Sequence, residues 1–166
     1  MSEITPARVR PIAGGPDVWL LNATRTGLDE AGLRAWARER TSAAGLPHGS
    51  RSYRFPYALA VSHDARVGID IERVEPADRR FLASISTPIE LATVVADAGL
   101  DAYATSLWSS KEALAKALGD ALRYDPRRLR SPIDWPGGRA GAWRASILAA
   151  PPGHVAWLCW RCAPAA

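Results

Sequence analysis

In the stretch Val67-Gly68-Ile69-Asp70-Ile71-Glu72, apolar residues occupy every second position, and this constrains the fold more than any other feature of the chain. A β-strand points successive side chains to opposite faces. Val67, Ile69 and Ile71 therefore share one face, which must be buried, and Gly68, Asp70 and Glu72 share the other. Two carboxylates sit side by side above a glycine that leaves room for a ligand. Taken alone, such a pair also suits the solvated face of a half-buried hairpin.

Residues 103–118 follow helical spacing, closed by Gly119. Within Trp108-Ser109-Ser110-Lys111-Glu112-Ala113-Leu114-Ala115-Lys116, the i, i+4 relation stacks Trp108, Glu112 and Lys116 on one helix face. Alone, this is an ordinary Glu-to-Lys pair beside a core tryptophan. Joined to the strand it means more: two acids on a strand and one on a helix make an oxygen-rich corner suited to Mg²⁺, which prefers carboxylates, water and substrate phosphates. A lysine one turn beyond would neutralise or protonate a phosphate leaving group. Composition sharpens the point. Of 21 basic residues only Lys111 and Lys116 are lysines, so an arginine-rich chain keeps its two compact, rotatable ammonium donors in one helix.

The chain of 166 residues, 48% hydrophobic, has the length of one domain and can bury a sizeable core. No apolar run approaches the roughly 18 residues of a membrane span. The beginning, with Glu3, Pro6, Arg8 and Arg10, lacks a secretory apolar segment, so a cytoplasmic protein is expected. Cys159 and Cys162 fall in a strand-like stretch whose spacing points them to opposite faces, against a disulfide or a metal site. The net charge of +4 suggests an acidic partner. Nucleic acid is the weaker choice, because the arginines are spread without an interleaved aromatic platform.

Residues 1–16 read as a loose lead-in, Val18-Trp19-Leu20-Leu21 as a strand and 28–43 as a helix stopped by Gly45 and Pro47. Residues 46–56 read as a basic loop carrying His48, Arg51 and Arg54. Tyr57 to Ser62 and Arg66 to Val74 read as the two arms of a hairpin turning at His63-Asp64-Ala65. A helical region covers 76–98, interrupted by Pro88. The tail holds strands near 129–134, 142–149 and 154–161, with turns at Pro136-Gly137-Gly138 and Pro151-Pro152-Gly153. The order is α+β.

Gly68-Ile69-Asp70-Ile71-Glu72 followed by Trp108-Ser-Ser-Lys-Glu-Ala-x-x-Lys116 resembles the paired signature of the phosphopantetheinyl transferase superfamily. The likeness runs from Ser52 to Trp160. It includes Gly119-Asp-Ala-Leu-Arg-Tyr-Asp125-Pro126 after the motif helix and Pro151-Pro-Gly-His-Val-Ala-Trp157 at the closing hairpin. Val18-Trp-Leu-Leu and Leu28-Asp-Glu-Ala resemble the opening strand and helix of the larger, two-lobed surfactin-synthetase type.

The resemblance implies an antiparallel sheet packed against a long motif helix, with residues 1–56 as a shortened N-terminal lobe and 57–162 as the core. It implies Mg²⁺-dependent transfer of 4′-phosphopantetheine from coenzyme A to a serine of an acidic acyl or peptidyl carrier protein, as in secondary-metabolite biosynthesis. Asp70, Glu72 and Glu112 would bind Mg²⁺. Asp70, Glu112 and Lys116 would be catalytic, with Glu112 helping to activate the serine and Lys116 facing the departing 3′,5′-ADP. Arg51, Ser52, Arg54, Lys111 and Lys116 would line the coenzyme A site, and Glu90 resembles a further family acid.

One region departs from the pattern. Larger relatives carry basic helices and a Gly-Lys-Pro loop for the nucleotide of coenzyme A where only residues 46–56 stand here. The family's Ser-His position falls on Ser52-Tyr53, with tyrosine for histidine, in the alignment that keeps the hairpin whole, while Ser62-His63 supplies the letters in the hairpin turn. Arg51, Arg54 and His48 suit a rebuilt phosphate grip. A second copy of the chain could also complete the site, as in the smallest relatives. The alternative reading is a repurposed fold that binds or processes a carrier already bearing its phosphopantetheine arm.

Overall fold

The computed structural model describes residues 7–9, 15–94 and 99–162. Two four-stranded antiparallel sheets lie between helices. The first has the order β1-β2-β4-β3, from β1 (Ala7–Val9), β2 (Val18–Asn22), β3 (His48–Arg54) and β4 (Tyr57–His63). The second has the order β5-β8-β7-β6, from β5 (Val67–Arg73), β6 (Arg139–Ala140), β7 (Trp143–Leu148) and β8 (His154–Arg161). Helix α1 (Glu30–Ala43) covers the first sheet. Helix α4 (Leu100–Leu118) covers the second, with the short α2 (Arg79–Ile85) and α3 (Pro88–Thr93) at its side.

Period-two alternation sorts the core into layers. Val18, Leu59, Val61, Val67, Ile69, Ile71, Leu158 and Trp160 meet between the sheets. The alternate residues Leu21, Ala58 and Ala60 face Leu33 and Ala37 of α1. Trp157 and Cys159 face Ala113, Leu114 and Ala117 of α4. Cys162 packs on the intersheet side, so the two cysteines lie on opposite faces, and both are free.

The α+β class stands, but several local expectations need correction. The two stretches expected to form a hairpin do not pair: β4 bonds to β2 and β3, β5 bonds to β8, and the chain passes from one sheet to the other between them. A domain boundary between residues 56 and 57 would sever β4 from its own sheet. The expected basic loop is strand β3, whose inward residues are the buried Ser50 and Ser52. Residues 7–9 of the lead-in form β1, while its residues 1–6 and 10–14 lie outside the described residues. The region near 129–134 holds a 3-10 turn at Pro132–Asp134 in place of a strand. The helical stretch 76–98 divides at an extended Ser86, and α3 restarts with Pro88 in its first turn and a Thr87–Glu90 capping box. Residues 95–98 lie outside the described residues.

Gly68 has a different role from the one expected. A Cβ there would lie 2.0 Å from the carbonyl oxygen of Ala113 and 2.5 Å from the amide nitrogen of Ala117. The missing side chain admits the backbone of α4, not a ligand. This close approach of helix and strand lets Lys116 reach the backbone of β5.

Lys111 is also in the wrong place for a cofactor. It is fully buried and donates to Glu90 at 2.6 Å, to the Ile85 carbonyl at 2.6 Å and to the Pro126 carbonyl at 2.7 Å. Its three donors are used to tie α2, α3 and the segment after α4 to the motif helix. Glu90 in turn accepts from the amides of Thr87 and Ser131. Burial pushes the Glu90 carboxyl up, but the Lys111 ammonium and the two amides outweigh it and hold Glu90 below its ordinary value of 4.5.

Two stability predictions follow from this packing. Gly68→Ala forces helix and strand apart and is expected to cost about 1–3 kcal/mol or more in denaturant unfolding; an unchanged midpoint would show that α4 does not press on this position. Glu90→Gln leaves a buried ammonium without its counter-charge and is expected to cost about 3–5 kcal/mol at neutral pH. Because the depressed acid stabilises the fold above its ordinary value and loses that contribution as pH falls through the folded value, the gap between wild type and Glu90→Gln closes in acid. A gap independent of pH in thermal melts contradicts the pairing.

Candidate active site

The free edges of the two sheets, β3 and β5, face each other without a backbone ladder. Serine hydroxyls bridge them. The Ile69 amide donates to Ser50 Oγ and the Ile71 amide to Ser52 Oγ, each at 3.1 Å. The Ser52 hydroxyl then donates to Asp70 Oδ1 at 2.9 Å. Ser52, expected to contact the cofactor, is buried and positions Asp70 instead.

Asp70 is 3% exposed. Its Oδ1 also accepts from Lys116 Nζ at 2.7 Å, and the same ammonium donates to the Ile69 carbonyl at 3.1 Å. Its Oδ2 is buried and has no hydrogen-bond partner. Glu72 accepts from the Trp108 indole at 3.2 Å and pairs with Arg54. Burial pushes the Glu72 carboxyl above its usual range, the neighbouring charge of Asp70 pushes the same way, and Arg54 and Trp108 oppose them.

Glu112 accepts from the Tyr124 hydroxyl at 2.6 Å. Burial, then Glu112, then Asp70 and Glu72 push the Tyr124 phenol far above its ordinary range, so it stays a neutral donor to Glu112. The structure thus brings Asp70, Glu72, Glu112 and Lys116 to one corner where β5 meets α4.

Among the described residues no three such groups are gathered closely enough to form a ready-made metal cluster. The donor chemistry nevertheless fits Mg²⁺, which commonly takes one or two carboxylates and completes its shell with water and phosphate oxygens. A buried carboxylate oxygen without a partner is costly to leave unmatched, and Asp70 Oδ2 beside the raised Glu72 supplies such an acceptor.

Two clefts flank this corner. One, of about 700 Å³, is lined by Arg34, Arg38, Arg51, Tyr53, Lys116 and Arg123, with Asp120 among the remaining walls. The Arg34 guanidinium lies over the Tyr53 ring, 4.8 Å from its centroid. The other, of about 690 Å³, holds Glu72, Arg54, Trp108, Arg73 and the 42% exposed Phe81. Lys116 therefore reaches the first cleft and Glu72 the second.

Of the expected cofactor residues, Arg51 and Lys116 line the basic cleft, Arg54 turns to Glu72, Ser52 supports Asp70, and Lys111 is confined to the core. His48 pairs in register with His63 at the end of the β3–β4 ladder opposite to Arg54. Ser62 donates to the Thr41 carbonyl, so Ser52 and not Ser62 touches the carboxylates. Sequence reasoning missed Arg34, Arg38, Arg123 and Tyr124. The first two were legible as an i, i+4 pair on the expected first helix.

No curated protein matches the chain in a sequence comparison. The family model for the 4′-phosphopantetheinyl transferase superfamily matches residues 66–158, from the residue before β5 to within β8. That span covers both motif elements and more than half of the chain. Strand β5 with its two acids, helix α4 with Glu112 and Lys116, and the first five residues of the closing strand fall within it, and the chain belongs to the 4′-phosphopantetheinyl transferase superfamily.

Proposed function

We propose that this protein moves the 4′-phosphopantetheine of coenzyme A onto a serine of an acyl or peptidyl carrier protein, with Mg²⁺ held by Asp70 and Glu72 and supported by Glu112. The observation that carries the reading is the unpartnered, buried Oδ2 of Asp70 at a corner flanked by a basic cleft. Bound there, Mg²⁺ supplies charge neutralisation for the pyrophosphate.

The chain's own groups divide the remaining work. Arg34, Arg38, Arg51 and Arg123 hold the phosphates of coenzyme A, since planar guanidinium forks suit phosphate oxygens. They take the place of the basic helices found in larger relatives. Lys116, one turn along α4 from Glu112, faces the 3′,5′-ADP end and offsets its charge as it leaves. Glu112 accepts the hydroxyl proton of the acceptor serine. The serine oxygen attacks the β-phosphorus, a new phosphorus–oxygen bond forms, and the bond from that phosphorus to the bridging oxygen breaks, releasing 3′,5′-ADP. Holding both reactants in line and placing fixed charge at the developing negative oxygens provides most of the acceleration.

The carrier approaches from the second cleft, where Phe81 and Trp108 give an apolar seat beside Glu72. A basic chain favours an acidic carrier. The shortened connection between α1 and β3 is the feature that keeps open a repurposed role on a carrier that is already loaded.

Release of 3′,5′-ADP from coenzyme A in the presence of an apo carrier separates these readings. Asp70→Asn and Glu112→Ala are each expected to lower kcat by about 10²–10⁴-fold. Arg34→Ala with Arg38→Ala is expected to raise the KM for coenzyme A by about tenfold or more while sparing kcat. Full activity in either acid variant contradicts the metal and base assignment. Absence of release by the wild type, with retained binding of a loaded carrier, favours the repurposed role.

A further inference from the structure

Three consecutive residues of α4 hold the segment that runs back along the helix after Gly119. Ser110 Oγ lies 2.6 Å from Ser131 Oγ, Lys111 Nζ donates to the Pro126 carbonyl at 2.7 Å, and Glu112 accepts from Tyr124 at 2.6 Å. The helix residues of the first two ties are fully buried and belong to the core. The third lies at the carboxylate corner, with Tyr124 and Glu112 both partly exposed.

The loop that Tyr124 ends is a wall of the basic cleft, through Asp120, Ala121, Leu122 and Arg123. Its own packing holds it weakly, since Leu122 is 99% exposed. Locally it is closed by the amides of Arg123 and Tyr124, which donate to the Asp120 carbonyl at 2.9 and 3.1 Å. One hydroxyl thus connects two features: the acid on α4 and the arginine-bearing wall that faces Lys116.

We propose that Tyr124 is a positioning residue whose hydroxyl clamps Glu112 in one orientation and seats the 119–123 loop against α4, so that the acid and the phosphate-binding wall keep a fixed relation. A carboxylate bonded at Oε1 by a short charge-assisted hydrogen bond presents Oε2 in a defined direction, and such supporting bonds commonly decide the affinity of a metal or the rate of a reaction. Arg123 is carried by the same clamp, one residue from the phenol. The inference rests on the reading that Glu112 serves the metal and the acceptor serine.

The test is Tyr124→Phe, which keeps the ring and removes only the hydroxyl, with Mn²⁺ as a paramagnetic probe for the metal site. Free Mn²⁺ is measured without coenzyme A or carrier, and transfer kinetics are measured separately. Tyr124→Phe is expected to weaken Mn²⁺ binding and to lower kcat by about tenfold or more each, and to raise the KM for coenzyme A through the loosened wall. In a Glu112→Ala background the same change is expected to leave Mn²⁺ affinity unaltered, because coupled residues are not additive. Wild-type Mn²⁺ affinity and kcat in Tyr124→Phe overturn the proposal. An equal loss of Mn²⁺ affinity with and without Glu112 overturns it as well, since the hydroxyl would then act on folding alone. If Glu112→Ala transfers at the wild-type rate while Tyr124→Phe does not, the assignment of Glu112 fails and the clamp fails with it.

Discussion

The hydroxyls of Ser50 and Ser52 set the geometry on which the site depends. Two sheets that end in open edges need partners for their outward amides, because a buried unpaired N–H costs about 1–3 kcal/mol. At this junction the amides of Ile69 and Ile71 find serine oxygens of β3 where a backbone ladder would otherwise be needed. A ladder would have merged the sheets into one continuous surface. The hydroxyl bridge joins the edges and still leaves Ser52 a proton to give to Asp70. The acid is therefore held at the seam between two layers, where it is shielded from water yet close to both clefts.

Helix α4 completes the corner because Gly68 lets its backbone touch β5. The approach brings Lys116 onto the Ile69 carbonyl and Asp70, and puts Glu112 one turn away. The two lysines of the chain divide the labour along this helix. Lys111 turns inward and fixes the surrounding segments, while Lys116 turns to the cleft. The charge balance is asymmetric: Asp70 has Lys116 and a hydroxyl on one oxygen and nothing on the other, and Glu72 is raised by burial despite Arg54. A site with surplus acceptor oxygen next to an arginine-lined cleft suits a cation and a polyphosphate together.

The legible parts of the fold were those with apolar periodicity. Strand β5 and helix α4 announced themselves through their spacing, and β8 was readable to the residue as a short apolar run, buried on both faces, that follows a turn. Strand β3 was read as a loop because its buried positions are serines and its remaining positions include Arg51, Tyr53 and Arg54, a pattern that carries hydroxyl chemistry without apolar signal. The false hairpin between β4 and β5 arose because a short turn between two strands says nothing about which edges bond. Gly68 was read as space for a ligand because sequence cannot tell an empty neighbour from a helix backbone. Lys111 was grouped with Lys116 by composition, although helical counting had already put it off the Trp108–Glu112–Lys116 face. The acids of the motif were visible; the arginine pair on α1 was legible as a pair on one helix face, but only tertiary contacts bring it and Tyr124 to the site.

No helix among the described residues is long and apolar enough to cross a membrane. The proposed transfer is a reaction between a nucleotide substrate in one cleft and a protein serine reached from the other. The measurement that tests this most directly is the intact mass of an apo carrier protein incubated with coenzyme A, Mg²⁺ and this protein. The account predicts one added phosphopantetheine on the carrier, located at a serine, and none when Mg²⁺ is withheld by chelation. An unchanged carrier mass across several acyl and peptidyl carriers, with coenzyme A and Mg²⁺ in excess, would contradict it.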